Sequence, residues 1–156
     1  MSTPDRKTLL SALQQAWGPT GWQGPTVKSV LRGLGPRDAA RRPYKGRHTI
    51  WELTLHLAYW THIARTRLVG ERTAFPRSPA NFPSQPRRPD PRAWRADLKL
   101  LSAEHSALVR TVARLTPRQL AGRVGRWSVA DTILGVALHD TYHAGQIGYL
   151  RRVIEG

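Results

Sequence analysis

The chain has no cysteine, one methionine and two phenylalanines, and its 10 acidic residues are outnumbered by 25 basic ones. Without thiols there can be no disulfide, no thiolate nucleophile and no cysteine-ligated zinc or iron–sulfur centre within the chain. A bound metal would have to take nitrogen and oxygen ligands. No apolar run approaches the roughly 18 residues of a membrane span. The segment Met1-Ser2-Thr3-Pro4-Asp5-Arg6 lacks the apolar stretch of a signal peptide, so the expectation is a cytoplasmic protein without membrane insertion. Strand-like alternation of useful length is missing as well.

The formal net charge is +15. Such an excess points first to nucleic acid or an anionic surface. The arginines, however, are scattered from Arg6 to Arg152, with local concentrations at 37–47, 87–88 and 118–126. None forms a continuous basic helix face, and no finger, glycine-rich nucleotide loop or stacking motif accompanies them. Nucleic-acid binding stays an alternative to a small-molecule role. A length of 156 residues fits a single domain over 1–156 with a core that needs no disulfide support.

Helix boundaries are marked along the chain. Thr3-Pro4 reads as N-cap and first helical residue of a helix to Trp17. A short helix is expected over 25–34, ended by Gly35-Pro36, with a loop through Pro43 and Gly46 after it. Thr49-Ile50-Trp51-Glu52 has the form of a capping box and opens a helix reaching about residue 69. The stretch Phe75 to Pro89 holds five prolines and no periodicity, so it is a long irregular crossover or a flap over one end.

Asp90-Pro91 starts a helix over 91–114. In it Trp94, Leu98, Leu101, His105, Leu108, Val112 and Leu115 recur at alternating steps of three and four, a core-facing seam that leaves Arg95, Lys99 and Arg110 exposed. A short accessory helix is expected near 117–121, and Ser128-Val129-Ala130-Asp131 caps a last helix over 128–153. Four main helices, two of them joined by a long loop, describe an all-α four-helix bundle. Gly135, Gly145 and Gly148 weaken the last helix, which points to close helix or ligand approach there.

His139 and His143 stand four residues apart, so on a helix both imidazoles lie on one face. His56 interrupts an apolar face between Leu53, Leu57 and Trp60, where an unpaired imidazole would incur a desolvation cost. Three neutral imidazoles on two packed helices would hold a divalent metal and leave a coordination position open, as catalytic sites do. There is no His-Glu-x-x-His. His105 reads as a hydrogen-bonded core histidine and His62 as partly exposed. His48, just before the capping threonine, is placed at the mouth of the bundle for substrate or proton transfer. Asp140 is a second catalytic candidate, and Asp140 and Gln146 could orient the metal ligands.

The segments Gly46 to Trp60 and His139 to Ile147, with Trp22-Gln23-Gly24-Pro25 and Asn81-Phe82-Pro83, resemble the DinB superfamily, most closely its DinB-like and YfiT-like metal-dependent members. The likeness implies an up-down-down-up bundle with a crossover between the second and third main helices. It also implies a zinc or nickel site on His56, His139 and His143, and a homodimer, for which Tyr59 and Tyr149 are candidate contacts. Characterised relatives include transferases that use low-molecular-weight thiols such as bacillithiol or mycothiol, and a maleylpyruvate isomerase. The expected function is therefore a metal-dependent, thiol-dependent transferase acting on a small electrophilic substrate. The alternatives are a metal-dependent hydrolase and a non-enzymatic basic nucleic-acid-binding or stress-response protein.

Overall fold

The computed structural model describes residues 4–156. In chain order it contains α1 (Arg6–Trp17), α2 (Val27–Leu31), α3 (Pro36–Ala40), α4 (Ile50–Leu68), α5 (Pro91–Arg114) and α6 (Pro117–Leu120). A hairpin of two-residue strands, β1 (Arg123–Val124) and β2 (Trp127–Ser128), then leads into α7 (Val129–Glu155).

Most helix starts are where the capping residues place them. Thr49 and Glu52 satisfy each other's backbone N–H groups at the start of α4, at 3.1 and 3.0 Å. Asp90 accepts from Arg92 ahead of α5, and Ser128 accepts from Asp131 ahead of α7. At the first helix the cap lies further along the chain than expected. Asp5 accepts the Thr8 N–H at 2.7 Å and the helix begins at Arg6, while Thr3 lies outside the described residues. α2 starts later than residue 25 because Thr26 and Ser29 form a capping box of their own, and it ends at Leu31, ahead of Gly33 at φ 70°. The expected loop after Gly35 contains α3, for which Pro36 supplies a preset first-turn φ. The hairpin was not foreseen; Gly125, at φ 59°, makes its turn.

The bundle is a square in which α1 touches α5 and α7, and α4 touches the same two helices. Directions follow from side-chain partners. Trp51 meets Asp97 while His62 meets Glu104, so α4 and α5 run parallel, as the crossover at 69–90 requires. Arg6 donates to the Leu115 carbonyl while Trp17 stacks on His105, so α1 and α5 are antiparallel. The order is up-down-down-up.

Two apolar clusters fill the interior. One gathers α2, α3, the first half of α4 and the C-terminal half of α7, with Trp51 and Leu57 fully buried. The other joins α1 to the last turns of α4 and α5 and the first half of α7. Between them lies a layer of buried polar groups that includes Thr61, His62, His105, Asp140 and His143. The α5 seam faces inward, and Arg95, Lys99 and Arg110 are exposed. Gly148 does allow close approach, since a Cβ there would meet Val30 Cγ1 at 3.3 Å, whereas Gly135 and Gly145 face open space.

Asp97, on α5, is buried. It accepts the Trp51 indole N–H and the Arg77 Nε–H, both at 2.8 Å. Two arginines hold helix ends: Arg41 donates to the Ile154 carbonyl at 3.1 Å, and Arg151 to those of Val30 and Arg32 at 3.1 and 2.6 Å. Among the described residues no helix is long and apolar enough to cross a membrane.

Candidate metal centre

α4 and α7 pack against each other beside the polar layer. Helical spacing stacks His139 above His143 on α7. His56 approaches from α4, and its Nε2 lies 3.0 Å from His139 Nε2. One ring nitrogen from each of His56, His139 and His143 falls within 4.8 Å of the others, the one such donor group among the described residues.

Their orientation is imposed from outside the group. His56 donates its Nδ1–H to the Asn81 carbonyl at 2.6 Å, which turns its Nε2 lone pair towards His139. Asn81 takes φ 70°, a conformation asparagine tolerates better than most residues, and its side-chain oxygen accepts the Trp60 indole N–H at 2.8 Å. His143 donates its Nδ1–H to Gln146 Oε1 at 2.6 Å, and the Gln146 amide nitrogen donates to the Tyr142 hydroxyl at 3.3 Å, which fixes the amide's sense. Phe82 lies flat between two imidazoles, 3.7 Å from His48 and 3.9 Å from His56. The proline-rich crossover thus reaches back over the site and holds one of its rings.

Burial keeps the imidazoles neutral. It pushes His56 down to about 4, helped by the neighbouring His143 and His48. It pushes His139 down to about 3, with His143 and His56 adding to the effect. His143 is lowered as well, again chiefly by burial. Three neutral rings, two with their Nδ1 protons committed to oxygen acceptors, form the donor set a divalent ion requires. The residues fit a metal.

Of the two catalytic candidates, His48 lies close to the group, and Asp140 follows His139 directly on α7. His48 stacks on Phe82, has Nδ1 3.4 Å from Glu52, and shares a cavity wall with His143. Asp140 is buried in the polar layer and makes no hydrogen bond to the three histidines. Its Oδ1 has no partner, and burial pushes the carboxyl up to about 8. His62 is buried rather than partly exposed, held between the Thr73 carbonyl at 2.7 Å and Glu104 at 3.0 Å. His105 is in the core as expected, but it stacks on Trp17 with Nδ1 unpartnered instead of hydrogen-bonded.

Two clefts open beside the histidines. A cleft of about 550 Å³ between α4, the hairpin and the first half of α7 has His139 on its wall. A cavity of about 600 Å³ has His143 and His48 on its wall, with Tyr44, Arg47, Phe82 and Tyr149. They lie towards opposite ends of α7.

The family model of the DinB superfamily matches residues 23–147. No curated protein and no solved structure matches the chain.

Proposed function

Because the chain belongs to the DinB superfamily and brings three neutral imidazoles together, we propose that it is a metal-dependent transferase that joins a small thiol to an electrophile. His56, His139 and His143 would hold the ion, zinc or nickel, since imidazole suits both. A divalent ion there supplies Lewis-acid chemistry, lowering the pKa of a thiol or water brought to it. The observation that supports the reading is the pair of clefts, one with His139 on its wall and the other with His143, so that two substrates would approach the ion from two sides.

The chain's own groups do the rest. Asn81 and Gln146 fix ring orientation, and Phe82 closes the space between His48 and His56. With no cysteine in the chain, the nucleophilic sulfur must come from a low-molecular-weight thiol co-substrate. As the new sulfur–carbon bond forms and the bond to the leaving group breaks, the thiol proton passes to His48 and departs with the leaving group. Asp140, on neither cleft wall, serves as a buried support beneath the site rather than as the base. Hydrolysis of an ester or amide is the chemical rival at the same ligands.

Thiol–electrophile pairs and hydrolysable esters offered to metal-loaded wild type and His56→Ala separate the two. Thiol-dependent turnover that vanishes in the variant is expected. Saturable hydrolysis dependent on the histidines and indifferent to thiol would replace this reading with the rival.

The partner is proposed to be a second copy. Tyr59 is used within the chain, edge-on to Phe75 and Trp60, whereas Tyr149 is exposed. Leu138, Tyr142, Tyr149 and Val153 form an exposed stripe on α7 that reads alike from both ends about the Gly145–Gln146 bond. An antiparallel copy on a twofold axis there would set Leu138 against the partner's Val153 and Tyr142 against the partner's Tyr149. Light scattering should give twice 17.5 kDa for wild type and 17.5 kDa for Gly145→Arg. An unchanged mass in the variant would remove this interface.

A further inference from the structure

The cleft beside His139 has a chemistry of its own. Its walls are apolar, built from Trp60, Ile63, Leu134, Leu138 and Trp127. Trp127, which lies outside the α7 stripe assigned to the second copy, is left 55% open to solvent, an unusual extent for so large an apolar side chain. Apolar surface of this kind, kept concave and next to a reactive centre, is what a ligand's hydrocarbon body would cover.

The charges on the wall are few. Asp131 is occupied as an acceptor for the Ser128 hydroxyl at 2.6 Å. Arg67 is the one cation among the lining residues, and its guanidinium has no hydrogen-bond or ion-pair partner among the described residues; the neighbouring Arg126 lies over the Trp127 ring, 4.9 Å from its centroid. Asp131 is engaged at the α7 cap, where its N–H and its carboxylate both meet Ser128 Oγ, whereas the Arg67 guanidinium is unengaged and selects for an anion.

Geometry sets the ligand's length. Arg67 follows His56 by 11 residues on α4, about 16 Å of helix at about 1.5 Å per residue. Helical side chains lean towards the N-terminus, here towards the histidines, which brings the guanidinium to on the order of 10 Å from them. The molecule that spans this interval has an apolar body about as long as two fused aromatic rings. It carries a negative group at one end and presents its other end to His139.

We propose that this cleft binds the electrophile of the transfer reaction, and that the electrophile is an aromatic or medium-chain alkyl monoanion whose carboxylate or sulfonate is held by Arg67. The assignment rests on the two-substrate reading above. Its test measures binding alone, so the cleft and the metal centre can fail separately.

The probes are 2-naphthoate and the neutral 2-naphthalenemethanol, titrated calorimetrically into zinc-loaded protein. One naphthoate per chain is expected, bound about tenfold more tightly than the alcohol, the usual scale of one charge-assisted contact. Arg67→Gln should erase that preference, while Arg95→Gln, an exposed arginine on α5, should keep it. Gly135→Leu fills the cleft from a helical position whose Cβ would have nothing within 4 Å. Leucine also favours helix more than glycine does, so folding is protected. This variant should lose both ligands and retain zinc. Equal affinity for acid and alcohol, equal effects of the two arginine variants, or undiminished binding by Gly135→Leu would each overturn the proposal. Naphthoate binding by a wild type that takes up no zinc would uphold the cleft as an anion site and overturn its catalytic assignment.

Discussion

His139→Ala is expected to reduce bound zinc from about one ion per chain to a small fraction of that, the largest functional effect of any single change in this protein. The alanine removes the ring whose Nε2 lies 3.0 Å from His56 Nε2 and leaves two donors on different helices. Disturbing only the groups that orient a ligand costs roughly 10–100-fold in affinity. Deleting the ligand itself should therefore cost at least about 100-fold on the same scale. Gln146→Ala is the graded companion. It frees His143 Nδ1 without removing a donor, and its loss should fall within that smaller range. Elemental analysis after dialysis and competition titration with a chelator give both numbers. Equal affinity in wild type and His139→Ala would mean that the ion binds elsewhere.

The largest effect on stability is expected from Trp51→Ala. Trp51 is fully buried, lies 4.9 Å from the Trp94 ring centroid and donates to Asp97. Truncating a large buried aromatic side chain costs roughly 3–5 kcal/mol. At about 2–4 °C per kcal/mol for a chain of this size, the melting temperature should fall by about 6–20 °C. The variant also strips one donor from the buried Asp97 carboxylate, leaving Arg77 as its partner. Asp97→Asn separates the two contributions: it keeps an acceptor for the indole, gives up the charge opposite Arg77, and should cost about 1–2 kcal/mol. Thermal unfolding in the presence of a chelator keeps metal out of the comparison. A shift of only a degree or two for Trp51→Ala would show that Trp51 and Trp94 do not anchor this end of the bundle.

What could be read from the sequence was what short-range rules govern. The Thr49–Glu52 box, Asp90-Pro91 and Ser128 set three of the four long helices within a residue or two, because a cap needs only its own next turn. The 3-4 spacing from Trp94 to Leu115 gave the buried side of α5 for the same reason, and the four-residue spacing of His139 and His143 aligned two rings of the site. Contacts that depend on distant chain were not legible. The burial of His62 comes from Thr73 and Glu104, and that of Asp97 from Trp51 and Arg77, none of them sequence neighbours. Asn81 and Phe82 lie in an aperiodic, proline-rich stretch, so nothing local announced that one would orient His56 and the other would be sandwiched beside it. The hints were the resemblance of Asn81-Phe82-Pro83 to the family and an asparagine, a residue suited to positive φ, directly before Phe82. At α1 the Thr3-Pro4 pattern drew the cap two residues too early, since Asp5 is the residue that accepts the Thr8 N–H.

The polar layer between the two apolar clusters also governs how the molecule comes apart. Packing couples neighbours through dense apolar contact, and here that contact is interrupted across the middle of the bundle. Each cluster can then behave as its own cooperative unit, with amide hydrogen exchange at the Trp51 end and the Ile133 end following separate opening energies. His56 is rooted beside the first cluster, and His139 follows directly on the helix turns of the second. An ion shared by these rings would be a crosspiece between the units, so that opening either one requires its release. Binding would raise both opening energies towards a single value, and a bundle that frays in two stages would unfold in one.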